Sequence, residues 1–275
     1  MRHGRGDSTD LLRAMAATLR RWIVEQSFAS GVGHIGSALS VVDVVAALWG
    51  AVMRQPGTRL PDRDRFILSK GHAATALYAA LAYRGFFPES VLDTFAEPGS
   101  CLGETPSPGC IPGLELATGS LGHGLPVGIG MAFAGRVQGL AYRVFVLMSD
   151  GECNEGSAWE AALLAPAQRL ERVTTIIDYN KWQATGRSDE IMALRPLKAK
   201  WDAFGWSSYE IDGHDLRALI NAMGNVPDGT GRPVAIVAHT VKGKGVSFME
   251  DDNNWHYRAP SADELRRAKE ELGLA

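Results

Sequence analysis

From Leu11 the apolar residues Leu12, Met15, Leu19, Trp22 and Ile23 recur at helical spacing, behind Ser8 and Thr9, which suit helix capping. The pattern predicts a first helix ending before the glycine-rich stretch ASGVGHIGS. Beyond it, helical and strand-like segments alternate. A helix is predicted across SVVDVVAALWGAVM, a strand at RFILS, and a helix across GHAATALYAALAYRG closed by Gly85. Helical GLPVGIGMAFAGRVQ then precedes the strand RVFVLM, and helical GSAWEAALLAPAQRL precedes the strand VTTIID. Helices near RPLKAKWDAFG and HDLRALINAMG flank the strand WSSYEI, and PVAIVAH forms a last strand before the charged helix SADELRRAKEELG. Between the third and fourth helices, EPGSCLGETPSPGCIPG holds four prolines and four glycines and reads as a long surface loop.

Strands of this continuous apolar, β-branched kind, separated by helices, indicate a mainly parallel sheet with helices on both faces, an α/β fold. No internal repeat or linker divides it. Residues 1–9 are expected to form a flexible extension and residues 10–275 one domain.

Composition adds exclusions. The 275 residues are 45% hydrophobic and 21% charged with net charge -3, which gives enough apolar material for one large core and no broad basic surface for nucleic acid. Cys101, Cys110 and Cys153 form no Cys-x-x-Cys pair and leave an odd count, so no disulfide framework or zinc knuckle is expected. Neither a leader nor an 18-residue apolar run is visible, and the expected location is the cytoplasm, away from membranes.

The candidate chemistry sits where the strand VFVLM discharges into SDGECNEGS. In open parallel sheets ligands bind beyond the carboxyl ends of the strands. Asp150 follows one such end and Asn180 another, with one helical crossover between them. If those strands are neighbours, about 4.8 Å apart, both oxygens reach one small ion. Magnesium or calcium takes hard oxygen ligands, and Asp150, Asn180 and the main-chain carbonyl of Trp182 would supply three. Gly151, without a Cβ, would let a phosphate approach the backbone N–H groups of the following helix. Singly, Asp-Gly is also an ordinary strand-ending turn and Asn180 an ordinary loop residue.

SDGECNEG, followed at thirty residues' distance from Asp150 by Asn180 in DYNKWQATG, resembles the thiamin diphosphate signature, with Ser149 in place of its first glycine. GVGHIGSALSVVDVVAAL, DRFILSKGHAATALYAAL, PGLELATGSLGHGL, and TVKGKGVSF followed by WHY resemble the N-terminal, diphosphate-binding half of transketolase. The similarity spans roughly residues 10–260. It implies that His34, His72 and His256 line the substrate channel and the diphosphate site, and that Gly119, Ser120, Leu121, Asp150, Gly151, Glu152 and Asn180 contact the cofactor. It further implies that Glu155 and Glu160 join an acidic network across a subunit interface, alongside their alternative as charges in a first helical turn. Lys242 and Lys244 in KGKG either approach phosphate or are solvated loop charges. The implied cofactors are thiamin diphosphate and Mg2+ or Ca2+.

In transketolase the glutamate that activates the cofactor's pyrimidine lies in the next domain, and the sequence ends at Ala275 before such a domain. The resemblance therefore implies one subunit of a split enzyme, with a separate pyrimidine-binding partner in an α2β2 assembly, transferring a two-carbon ketol unit from a ketose. The family's histidine in GHP, ahead of PG(V/L)E, has no counterpart in ETPSPGCIPG. That departure keeps an alternative open, delivery of the fragment to a lipoyl or acyl-carrier thiol, as in 2-oxo acid dehydrogenase first components. A non-catalytic regulatory subunit is a further alternative. A nicotinamide site is weakly supported, because GHGLPVG and GIGMAFAG lack the full Gly-x-Gly-x-x-Gly pattern.

Overall fold

The computed structural model describes residues 8–56 and 60–273. Its elements begin with α1 (Ser8–Ser30), α2 (Ile35–Leu39) and α3 (Val42–Ala47), the last running into a π-turn at Leu48–Val52. Strand β1 (Arg65–Leu68) and α4 (Ala74–Tyr83) follow, then a long irregular segment, α5 (Gly124–Val137), β2 (Val144–Ser149), α6 (Gly156–Ala167) and β3 (Val173–Tyr179). A small hairpin of β4 (Trp182–Gln183) and β5 (Gly186–Arg187) leads to α7 (Ser188–Ile191), α8 (Leu197–Ala203), β6 (Ser207–Asp212), α9 (Leu216–Gly224), β7 (Val234–His239) and α10 (Ala262–Glu271).

Five strands form one parallel sheet in the order β1-β2-β3-β7-β6. Side chains of β2 alternate between two cores. Phe145 and Leu147 face one that includes Leu19, Val44, Tyr78 and Ile236, whereas Val144, Val146 and Met148 face another with Ile129, Ala162, Trp201 and Val237. Burial on both faces explains why β2 and β3 read as unbroken apolar runs. The edge strand β6 differs: Tyr209 and Glu210 are exposed, and a charged residue there discourages pairing with another chain. No helix of the described residues is long and apolar enough to cross a membrane.

Three local expectations are corrected. Ser8 and Thr9 are not caps outside the first helix but its first two residues, and Thr9 is buried, so the packed stripe starts one turn early. Residues 1–7 of the expected extension lie outside the described residues. The single helix expected across 40–53 starts two residues late, at Val42, and a separate short helix over Ile35–Leu39 precedes it; between the two the Ser40 hydroxyl turns inward to donate to Asp178 Oδ2 at 2.8 Å. In the proline-rich segment Cys101 and Cys110 form a disulfide, contrary to expectation; the chain doubles back until their Cα atoms lie 5.4 Å apart. That segment is irregular, yet Leu102 and Ile111 anchor it in the core and the Tyr78 hydroxyl donates to the Gly103 carbonyl at 3.0 Å.

At the amino-terminal end of the sheet, the fully buried Asp64 carboxylate accepts from the backbone N–H groups of Arg54 (2.8 Å) and Arg143 (2.9 Å) and from both guanidinium groups. Burial pushes this carboxyl up, but hydrogen bonds from Arg143 and then Arg54 outweigh it and hold it below the usual carboxylate range. The stabilisation is present above the ordinary carboxylate pKa and is lost as pH falls through the lowered one. Asp64→Asn should cost about 3–5 kcal/mol in urea unfolding at neutral pH, and the gap to wild type should close as pH falls below about 4.

Candidate functional site

A cleft of about 460 Å3 opens at the carboxyl ends of β2 and β3. Into it converge His34, His72, Gly119, Leu121, Asp150, Gly151, Glu155, Asn180, Trp182 and His256, supplied by segments far apart in the chain. Of the remaining residues implicated by the sequence, Ser120 is exposed beside His123, and Glu160 is exposed on α6. Glu152 is fully buried, and its carboxylate is consumed by Ser69 Oγ, the Ser149 N–H (2.9 Å) and the Gly122 N–H (3.0 Å). It straps the 119–123 loop to the strand tips rather than facing the cleft. A smaller hollow of about 330 Å3 lies near the other end of the sheet, where Arg136 caps the end of α6 by donating to the Gln168 carbonyl.

One pole of the cleft is acidic. The register Ser149↔Asp178 brings Asp150 beside the loop that follows β3. Its Oδ2 accepts from the Lys181 N–H at 3.0 Å and the Ser188 hydroxyl at 2.7 Å, and Oδ1 from the Gly151 N–H at 2.8 Å. Lys181 adopts a left-handed backbone (φ 69°) to aim that N–H. Burial, opposed by the Ser188 hydrogen bond and abetted by the Asp178 charge, pushes the Asp150 carboxyl up to about 7. A divalent cation would reverse that penalty. Nearby, Asn154 Oδ1 and Gln183 Nε2 are buried in the cleft wall without a protein partner. A carboxylate, an amide oxygen and a main-chain carbonyl suit a hard cation that keeps further positions for ligand oxygens, so the residues fit Mg2+ or Ca2+.

The other pole is a cluster of imidazoles. The ring centroids of His34 and His256 are 4.8 Å apart, and His72 lies 5.6 Å and 5.8 Å from them. Two fully buried lysines flank the cluster. Lys70 pairs with Asp178, and Lys242 Nζ donates to Asn253 Oδ1 at 2.7 Å and to His256 Nδ1 at 3.1 Å. Burial first, then the Lys70 charge, holds His72 well below the usual histidine value. Burial first, then Lys242, brings His256 down to about 3. His34 is lowered by burial, against the Glu104 charge. All three rings are neutral donors or acceptors at neutral pH.

The glycines beside these histidines crowd protein rather than ligand, unlike a backbone thinned for substrate. A Cβ on Gly71 would sit 2.7 Å from the Gly119 nitrogen, and one on Gly33 would sit 2.8 Å from the Tyr257 carbonyl carbon. Lys242, whose KGKG context suits either a solvated loop charge or a phosphate contact, is fully buried. Lys70, Asp178, Ser188 and Thr105 are further residues in or beneath the cleft, beyond those expected from the sequence. The signal for Asp178 was available, since a carboxylate inside an apolar parallel strand demands a partner. Thr105, from the segment without the family's histidine, stands in the cleft wall.

Comparison with known proteins gives the family. Residues 12–275 match the family model for the transketolase, thiamine diphosphate binding domain. The chain is 39% identical over 255 residues to a subunit of the apulose-4-phosphate transketolase of Phocaeicola vulgatus, covering 92% of this chain and 90% of that protein. It is 41% identical over 243 residues to a subunit of the 6-deoxy-6-sulfo-D-fructose transketolase of a Clostridium species, covering 87% and 88%. Among solved structures, transketolase from Leishmania mexicana superposes with a TM-score of 0.90 at 26% identity, over 95% of this chain. The chain spans 41% of the length of that solved transketolase.

In an NMR titration His72 and His256 should stay neutral from about pH 8 to about pH 5, and Lys242→Met should raise the His256 pKa toward the ordinary value of about 6.5. The unfolded chain takes up these protons near that value and the folded chain does not. Stability should therefore decline as pH drops from about 6.5 to about 5, by up to about 1.4 kcal/mol per pH unit for each ring, measured by urea unfolding.

Proposed function

This chain belongs to the transketolase family through its thiamine diphosphate binding domain, and on that premise we propose that it is the cofactor-holding subunit of a two-subunit enzyme moving a two-carbon ketol unit from a ketose to an acceptor. The observation that carries this reading is the convergence on one cleft of Asp150, Asn180 and Trp182 with the neutral cluster of His34, His72 and His256. Residues 10–275 act as a single diphosphate-binding domain.

Asp150, Asn180 and the Trp182 carbonyl would hold Mg2+ or Ca2+, and Gly151, Gly119 and Leu121 would form the cofactor's side of the cleft. Bound thiamine diphosphate supplies the electron sink for breaking and making a carbon–carbon bond. The chain's own contribution is orientation and proton handling. Neutral imidazoles at His34 and His72 accept or return the protons of ketose hydroxyls, and His256 with the buried Lys242 faces the anionic end of the cofactor.

Relatives that this chain covers almost end to end are named as transketolase subunits, which implies a partner subunit. The partner in this reading carries the pyrimidine-binding domain and its glutamate, in an α2β2 complex. Support comes from exposed apolar side chains on two packed helices, Val127, Phe133 and Val137 of α5 with Leu163 and Leu164 of α6. Glu155 at the cleft rim and Glu160, on the same helix as Leu163 and Leu164, join the interface. Both relatives are named for ketoses with a terminal phosphate or sulfonate, so a ketose of that kind is preferred here over a lipoyl or carrier thiol.

Calorimetry with thiamine diphosphate and Mg2+ should show binding by wild type and a loss greater than about a hundredfold for Asp150→Ala and for Asn180→Ala, more than outer-shell changes usually cause. Turnover of ketoses bearing a terminal phosphate or sulfonate should appear only when the partner subunit is added. Full turnover by this chain alone, or undiminished binding by both variants, defeats the reading.

A further inference from the structure

Asp178 is the penultimate residue of β3, fully buried, and does not line the cleft it underlies. It gathers four donors. Oδ2 accepts from the Ser40 hydroxyl at 2.8 Å, from Lys70 Nζ, and from the Asn180 amide Nδ2 at 2.8 Å, while Oδ1 accepts from the Thr240 hydroxyl. Lys70 is equally buried and also donates to the Ser37 carbonyl at 3.0 Å, so the ion pair ties the tips of β1 and β3 to α2, and the Thr240 hydroxyl adds the end of β7.

An ionised carboxylate can only accept hydrogen bonds, whereas the Asn180 amide has a donating and an accepting end. Facing Asp178, the amide must turn its Nδ2 downward. Its Oδ1 then points up, accepting from the Trp182 N–H at 3.0 Å with a second lone pair free, and Asn180 lines the cleft beside Asp150. A free Asn side chain has no such preference, since its two ends differ little in shape. Lys70 Nζ can only donate, and it meets Asp178 together with the Ser40 and Thr240 hydroxyls, so the carboxylate's oxygens are all engaged as acceptors and Asp178 offers Asn180 nothing but an acceptor.

We propose that Asp178, held by Lys70, is a positioning residue that fixes the orientation of the Asn180 amide, so that an oxygen and not an NH2 group is presented to the cation. The inference rests on the cation reading of Asp150 and Asn180 and adds the reason that this asparagine works as a ligand. It has a counterintuitive corollary. Aspartate is ordinarily the better hard-cation ligand, yet here a carboxylate at position 180 would face Asp178 across a buried contact and be repelled.

The test uses the full chain and Mn2+, with the free ion counted by electron paramagnetic resonance in the presence of thiamine diphosphate. Asp178→Asn, whose amide can meet either end of Asn180, should weaken Mn2+ binding roughly ten- to hundredfold, the usual effect of losing an outer-shell partner. Asn180→Asp should weaken it comparably, and the swapped pair Asp178→Asn with Asn180→Asp should recover most of the affinity. Ser40→Ala and Thr240→Val, which each remove a hydrogen bond to Asp178 without freeing the amide, should leave binding within about threefold. Wild type that fails to bind Mn2+ sinks the cation site and this inference together. Wild-type binding with Asp178→Asn undiminished, or Asn180→Asp binding tighter than wild type, sinks the inference alone. Equal losses in the Ser40 and Thr240 variants also overturn it, by reducing Asp178 to a structural brace. Should Asp178→Asn fail to fold, Asn180→Asp against wild type still decides: weaker Mn2+ binding upholds the inference and tighter binding overturns it.

Discussion

The parallel register that sets Ser149 of β2 beside Asp178 of β3 governs what stands above it. A parallel strand buried on both faces is held by its apolar side chains, and a slip of one residue would exchange the two cores, placing Phe145 and Leu147 where Val146 and Met148 belong. The apolar pattern therefore fixes the height at which each strand ends. Asp150 and Asn180 inherit their places from that height, one residue beyond β2 and one beyond β3. The site's precision is a by-product of core packing.

Above the register, charge is distributed so that no buried ion lacks a response. Asp178 sits between Lys70 and three neutral donors, and Lys242 between Asn253 and His256. Asp150 is different. Its three donors are two main-chain N–H groups and a hydroxyl, none of them charged, and Glu152 is held the same way; burial pushes both carboxyls up, that of Asp150 to about 7, and of the two only Asp150 lines the cleft. Burying a carboxylate with dipoles alone is expensive. Its position in the cleft makes sense for a group whose counter-charge arrives with a ligand.

How much of this was legible in the sequence follows from the range of the interactions. Strand order apart, the α/β class and nearly every strand were readable, because unbroken runs such as VFVLM and VTTIID have few other uses. Asp150 and Asn180 were readable as a pair because both follow strand ends across one crossover. What was hidden depends on contacts between distant segments. The turn at Ser40 between α2 and α3 meets Asp178, 138 residues away, and the interior place of Lys242 answers to His256 and Asn253. The strap from Glu152 to Gly122 is likewise a long-range contact, so a residue adjoining the Asp-Gly pair was assigned to the ligand when it serves the loop. Nothing local distinguishes a glutamate that faces a cleft from one that faces a neighbouring N–H.

The cleft's two poles also explain why one chain can be half of a catalyst. In the function proposed above, the strand tips, each tied down by buried hydrogen bonds, would prepare the cation and anion sites without help, since every group involved belongs to this chain. The rim is another matter. Thr105, Gly119 and Glu155 are exposed at its edge, and α5 and α6 present Phe133, Val137 and Leu163 outward rather than inward. A surface of that apolar character loses free energy to water of roughly 25 cal/mol for each Å2 left uncovered. In the assembly proposed above the partner covers this surface and closes the rim, so completing the cleft and assembling the enzyme would draw on one source of free energy, and a partner that docks poorly would weaken catalysis before it weakened cofactor binding.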